Sequence, residues 1–258
     1  MESVVAGLEF TPWDFLLFGV VAAQSLFVAY CESPKWKSLF LSVPVPFTVI
    51  ALSVGRPIDA SNIFALFVLL AYTQAVRLLH ERARVPIVVA IGMSLALYVA
   101  IGWACSGIVP TTDMTFGPAC AITVLVGLLL HRWFSTTTES SYKTTLPIAL
   151  KLPVIFAIVA FLISIKHGLA GFAPMFPLVS VVGGYETRYS LWTLARTVPA
   201  LMVALPPMLI VTRLTQSSIG LGWGLALGWI VFLPLLFWIR RTRLTSAGDE
   251  RLNESSTA

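Results

Sequence analysis

AGFAPMFPLVSVVGGYE, residues 170–186, is apolar enough to lie in a membrane, yet it carries two prolines, three glycines and a carboxylate at its end. Whether it crosses the bilayer decides the topology of everything around it. The whole chain has 258 residues, 57% of them hydrophobic and only 11% charged, with a mean hydropathy of +0.88. A soluble domain carries roughly a quarter charged residues. Apolar runs long enough for helices across a ~30 Å hydrocarbon core recur along the chain, without the in/out alternation of a barrel strand. This composition predicts an all-α polytopic membrane helix bundle and excludes a water-soluble globular domain. The start, MESVVAGLEFTPWD, bears Glu2, Glu9 and Asp14 in place of a positive n-region, so no cleavable signal is expected.

About nine spans are predicted, near 13–31, 38–55, 62–79, 85–106, 117–134, 145–165, 170–186, 191–212 and 219–239. An odd number puts the termini on opposite sides. With the C-terminal RRTRL inside, the inner segments collect Lys35, Lys37, Arg77, Arg82, Arg84, Arg132, Lys143, Arg188, Arg196, Arg240, Arg241, Arg243 and Arg251. The outer ones hold Arg56, Lys166 and Arg213. Positive residues favour the cytoplasmic side, so a bacterial inner-membrane protein with its N-terminus outside and C-terminus cytoplasmic is expected. The asymmetry requires 170–186 to be a crossing, because a re-entrant loop there would put Arg188 and Arg196 outside. The net charge of +5 thus reads as a topology signal, and no nucleic-acid surface is expected.

The chain divides at STTTESSYK, 135–143. SLFLSVPVPFTVIAL (38–52) parallels TTLPIALKLPVIFAIVA (144–160), and ARVP (83–86) parallels ARTVP (195–199). The expected organisation is 1+4+4. An added helix (1–34) precedes a first four-helix unit (35–134), a polar linker (135–143), a second four-helix unit (144–240) and a disordered cytoplasmic tail (241–258). An even number of spans per unit gives the two repeats the same orientation. The second half, through LAGFAPMFP (169–177) and the arginine-bearing loop and long span that follow, resembles the GlpM family of small bacterial inner-membrane proteins. That resemblance implies two fused GlpM-like units and a setting linked to the envelope or exopolysaccharide; it implies no reaction. The corresponding span of the first half, SNIFALFVLLAYTQ (61–74), has neither proline.

Candidate site residues cluster around the opening stretch. Pro174 and Pro177 fit a helix start, where a missing N–H is harmless, or a broken helix that offers backbone groups to a ligand. Lys151 lies roughly 10 Å into its span from Lys143 at 1.5 Å per residue. A lysine there costs about 1–3 kcal/mol unless it snorkels or pairs. Its predicted partner is Glu186, at the same end of the neighbouring span, with Tyr185 beside it. Asp14 is expected to cap the first helix and Gln24 to bond a neighbouring helix. Gly220, Gly224 and Gly228, four apart, predict a close-packing helix face for internal contact, a homodimer or a membrane protein partner. Cys31, Cys105 and Cys120 form no metal or redox motif; Cys105 and Cys120 read as packing residues or a disulfide. The three histidines are scattered and no nucleophile–base motif is found, so neither a metal, a cofactor nor an enzymatic reaction is expected. Two functions remain: a small transporter or permease-like protein for a small solute, with its site near 170–186 and Lys151, or a non-transporting membrane subunit docking through the glycine face.

Overall fold

The structure, a computed structural model, describes residues 11–109, 111–134 and 147–256. Every regular element among them is helical. Eight segments among the described residues are long and apolar enough to cross a bilayer. The chain is therefore an all-α multi-pass membrane protein. The linker expected at 135–143 lies outside the described residues.

The helices are α1 (Pro12–Tyr30), α2 (Pro34–Leu41), α3 (Val45–Val54), α4 (Ala60–Glu81), α5 (Ile87–Ser106), α6 (Asp113–Trp133), α7 (Ile148–Leu169), α8 (Leu178–Glu186), α9 (Leu191–Ile219) and α10 (Leu221–Ser256). The 29-residue α9 is central and packs on α10, α6 and α4, while α1 packs on α3, α7 and α8. Elements of both expected units thus interleave, and one contiguous apolar core runs from Leu17 to Ile239. α7 lies at the edge, mainly against α1 and the turn that follows it. The polar segment expected to be a disordered tail is helical as far as Ser256. A helix already nucleated in the membrane gains one hydrogen bond for each further residue it fixes. Cys31, Cys105 and Cys120 are free thiols.

Two crossings are broken, each at a pair of prolines. The α2–α3 crossing breaks before Pro44 and Pro46. Proline has no N–H to offer the residue four positions earlier, which for Pro44 is Phe40. Gln24 of α1 takes up the loss, donating from Nε2 to the carbonyls of Phe40 (2.5 Å) and Val43 (3.0 Å). The interhelical bond expected of Gln24 is thus made, to backbone.

The second break is 170–186 itself. It consists of a six-residue 3₁₀ turn, Ala170–Met175, a tight turn at Pro177 in which the Leu178 N–H donates to the Phe176 carbonyl (2.8 Å), and the nine-residue α8. It is too short a helix to stand among the eight spans, but it crosses the bundle. Phe172 lies beside Gly102, Phe176 meets the Tyr98 ring and Gly184 faces Ile91, so the segment runs antiparallel along α5. The 3₁₀ turn, with about 2.0 Å rise per residue, lengthens a segment that an α-helix would leave short. Ordered α-helix begins at Leu178 and not at Pro174, which sits inside the 3₁₀ turn. In that turn the Phe176 N–H is diverted to the Ala173 carbonyl (3.0 Å). The Phe172 carbonyl is then met by the Tyr98 hydroxyl (2.9 Å) and the Gly171 carbonyl by Asn62 Nδ2 (2.8 Å). Gly171 must be glycine, because a Cβ there would strike the Ser61 hydroxyl. Ala170, at the joint with α7, holds φ at 49°, a strained conformation for a residue with a Cβ. Its expected counterpart in the first unit, 61–74, is part of the unbroken α4.

Asn62 is 2% exposed, so replacing it with leucine strands a buried carbonyl. Asn62→Leu is expected to lower stability by about 1–3 kcal/mol, read as a drop in the thermal unfolding midpoint in detergent. Unchanged unfolding would show that the Gly171 carbonyl needs no donor.

Candidate functional site

α7 carries one lysine near each end, and both are buried: Lys166 at 2% and Lys151 at 6% exposure. Each pairs with a carboxylate on another element, and the two pairs differ in kind.

Lys166, placed by sequence in an outer loop, lies in the last turn of α7, where a cation complements the helix dipole. Its Nζ donates to Asp14 Oδ1 (2.8 Å), Asp14 Oδ2 (2.7 Å) and Ser53 Oγ (2.7 Å). All three ammonium protons are therefore used. Asp14, fully buried, also accepts from the Ser53 hydroxyl (2.6 Å) and from the Thr11 N–H and hydroxyl (2.8 and 2.9 Å). Its predicted capping role is present, but most of its work is to tie α7 and α3 to the start of α1. Asp14 and Lys166 both fell on the expected outer face, so their pairing was available from sequence. What hid it was reading Asp14 as already satisfied by its own helix end.

At the other end the predicted pair forms: Lys151 Nζ lies 2.8 Å from Glu186 Oε1. The ammonium also stands over the Tyr30 ring, 4.6 Å from its centroid, a cation–π contact. Lys37, 2% exposed, is within electrostatic reach of both members of this pair and of Arg188. Arg188 stacks on Tyr185 and Tyr189 and donates to the Tyr185 carbonyl (3.0 Å). In contrast to the first pair, Lys151 Nζ is met only by Glu186 Oε1, and Glu186 Oε2 has no hydrogen-bond partner. Buried polar atoms without partners are uncommon and point to something that completes them.

Lys151 and Glu186 border a cleft of about 280 Å³ between α5, α7 and α8, with their charged atoms buried behind its surface. Its walls are Val88 and Ile91 of α5, Leu150 and Val154 of α7, and Val181 and Val182 of α8, with Lys151, Tyr185 and Glu186 completing a lining that is almost wholly apolar. Val88, Leu150 and Val154 are 65%, 60% and 55% exposed, so in a membrane the mouth faces lipid. Of the five predicted binding residues, Lys151, Tyr185 and Glu186 come together here. Pro174 and Pro177 are buried in the core and do not line the cleft. The carbonyls freed around Pro174 are taken by Asn62 and Tyr98, so the open-backbone ligand cradle expected from them is filled by the protein itself.

The glycine face also divides. Gly220 lies outside α10, in the turn after α9, with φ at 84°; it is there for the turn and not for a helix face. Gly224 and Gly228 press on α9, where added Cβ atoms would meet Thr212, Thr215 and Met208. The Thr212 hydroxyl reaches the Gly224 carbonyl (3.2 Å). The face is thus used internally, the first of its expected roles, and is not open to a partner.

No family model, curated protein or solved structure matches this chain.

The contrast between the pairs predicts unequal mutants. Lys166→Met abandons a fully buried carboxylate and should cost about 3–5 kcal/mol, while Asp14→Asn combined with Lys166→Met should recover much of that loss. Lys151→Met, which breaks a single contact and leaves Lys37 within electrostatic reach of Glu186, should cost less. Unfolding midpoints of purified protein check the order, and equal losses at the two ends would contradict it.

Proposed function

We propose that this is a small permease-like membrane protein that receives an amphiphilic solute from the bilayer at the cleft between α5, α7 and α8. The observation that carries the reading is the buried Lys151–Glu186 ion pair, with Glu186 Oε2 unpartnered, beside a lipid-facing apolar cleft. The Asp14–Lys166 pair, at the other end of α7, has every ammonium proton engaged. Incomplete satisfaction is costly and finds its reason when a ligand supplies the missing bonds. Lipid-facing pockets with a few convergent polar groups are the general form of a binding site. Intramembrane ionisable residues mark solute pathways.

The break in 170–186 supports movement at this site. Glu186 ends α8, a nine-residue helix joined to the 3₁₀ turn through a turn at Pro177, so the carboxylate sits on a short rod that can tilt. The polar neighbours of the pair, Tyr30, Lys37 and Tyr185, favour binding and release over bond-making. A subunit role through the glycine face loses its support, because Gly224 and Gly228 are packed against α9. We place the protein in a bacterial inner membrane with the Lys37, Lys151 and Arg188 end cytoplasmic, following the charge asymmetry.

Reconstitution tests the reading. Purified protein is placed in phosphatidylcholine vesicles with tail-labelled fluorescent amphiphiles bearing neutral polyol, anionic or zwitterionic heads, and dithionite is added outside. Quenching beyond the outer-leaflet fraction is expected for at least one head with the wild type. It should be lost when Lys151→Met and Glu186→Gln are combined. Quenching that stops at the outer-leaflet fraction for every head would refute transport.

A further inference from the structure

We infer that Arg77 and Arg196, at the end of α4, α6 and α9 that the charge asymmetry makes cytoplasmic, hold the phosphate group of a net-anionic molecule. The inference stands apart from the cleft between α5, α7 and α8 and from transport.

Packing of three helix ends brings the two guanidiniums to one aromatic pair. Arg77, near the end of α4, lays its guanidinium over the Trp192 ring, with Cζ 4.1 Å from the centroid. Trp192, in the first turn of α9, meets Phe134 edge-on, their centroids 5.2 Å apart, and Phe134 is the residue that closes α6. Arg196, one turn further along α9, reaches from Nη2 to the Phe134 carbonyl (3.5 Å). Arg82, Arg84 and Arg132, close to these ends in sequence, are exposed, whereas Arg77 and Arg196 are half-buried. The exposed arginines already mark the inner face; a topology signal does not require the other two to turn inward.

Arg77 has no anion. Among the described residues it meets neither a carboxylate nor a hydrogen-bond acceptor, and its contact is the indole face. Glu81, one turn on along α4, is exposed and pairs with neither arginine. Nη1 is the one nitrogen of Arg77 enclosed without a partner. The side chain is otherwise partly exposed, which leaves the Nε–Nη2 edge open, and that edge matches two oxygens of a phosphate. The indole fixes the plane of the fork before anything binds, so little rotamer freedom is lost on binding. Two cations gathered on one aromatic pair also repel each other, and an anion between them removes that repulsion.

Depth selects phosphate among anions. α6 ends at Trp133, which is 85% exposed, and exposed tryptophan at a span end marks the head-group level. Phe134 follows it directly, so the two guanidiniums stand where the inner leaflet presents its phosphates. Basic pockets between helices on the cytoplasmic side take anionic heads. A zwitterionic head brings an ammonium with its phosphate and sets it against both arginines; a phosphoglycerol head or a free phosphate ester brings none. These last two offer the same oxygens, and the experiment separates them.

Native mass spectrometry tests this on the full-length protein in a neutral maltoside detergent. It is titrated with dioctanoyl-phosphatidylglycerol or dioctanoyl-phosphatidylcholine, and bound lipids are counted. Saturable binding of phosphatidylglycerol is expected, roughly tenfold or more tighter than phosphatidylcholine. Losing one charge-assisted contact should weaken it roughly tenfold in Arg77→Gln and in Arg196→Gln. Arg77→Lys, which keeps the charge and loses the fork, should also weaken it, and carries the comparison if Arg77→Gln fails to fold. Arg82→Gln combined with Arg84→Gln should leave binding unchanged. Equal affinity for the two lipids, or an equal loss in that exposed double variant, would mean diffuse surface charge and overturns the inference. Binding that appears only in Glu139→Gln would overturn it too, because the carboxylate of the 135–143 connection would then be the anion. Displacement of the lipid by millimolar inorganic phosphate assigns the site to a soluble phosphate ester, and no displacement assigns it to the lipid; the inference stands in both cases. Neither result depends on dithionite quenching in vesicles, so this inference and the permease reading fail separately.

Discussion

A carbonyl released inside hydrocarbon has no water to turn to, and this constraint organises the bundle. Two crossings give up helical hydrogen bonds at paired prolines, and each needs side chains from elsewhere to replace them. Gln24 serves the Phe40 and Val43 carbonyls, while Asn62 and Tyr98 serve those of Gly171 and Phe172. The donors come from α1, α4 and α5, so every broken crossing is tied to unbroken helices beside it. Irregular backbone is tolerated at membrane depth because it is buried in protein. The arrangement also joins the two halves of the chain, since Asn62 and Tyr98 in the first hold a turn in the second.

Fixing the break in this way has a consequence at the far end of the segment. With 170–175 anchored at α4 and α5, the short α8 carries Glu186 back to the start of α7, where Lys151 waits. α7 is thereby held at both ends by lysines, one through Asp14 and one through Glu186. Only the first pair is chemically complete. The second stands at the gap between α5 and α7, where the helices pack more lightly and lipid-facing valines form the rim. Low packing, an unfinished ion pair and a hinged short helix therefore occur in one place, which is the physical ground for locating function there.

Much of this was legible in the sequence. The apolar runs gave the membrane class, and the basic residues demanded a crossing at 170–186 even though no helix of normal spanning length exists there. The Lys151–Glu186 pair followed from two charges at the same end of adjacent spans. Less was legible for the prolines. Pro174 and Pro177 predicted an opened backbone or a clean helix start, and the outcome was neither: the backbone opens, but Asn62 and Tyr98 fill it. Gly220 matched the spacing of a helix face and turned out to be a positive-φ turn residue, a difference that spacing alone does not carry.

Composition, apolar periodicity and charge asymmetry by themselves determined that the chain is a helical membrane protein and where its crossings fall, because hydrocarbon imposes those terms on each segment separately. Only the tertiary structure decided which buried charge is complete and which is not. That depends on whether partners from other helices arrive at hydrogen-bonding distance. Lys166 and Ser53 both arrive at Asp14; Lys151 alone arrives at Glu186 Oε1, and nothing at Oε2. Local sequence fixes what a residue can offer, and packing fixes whether the offer is taken.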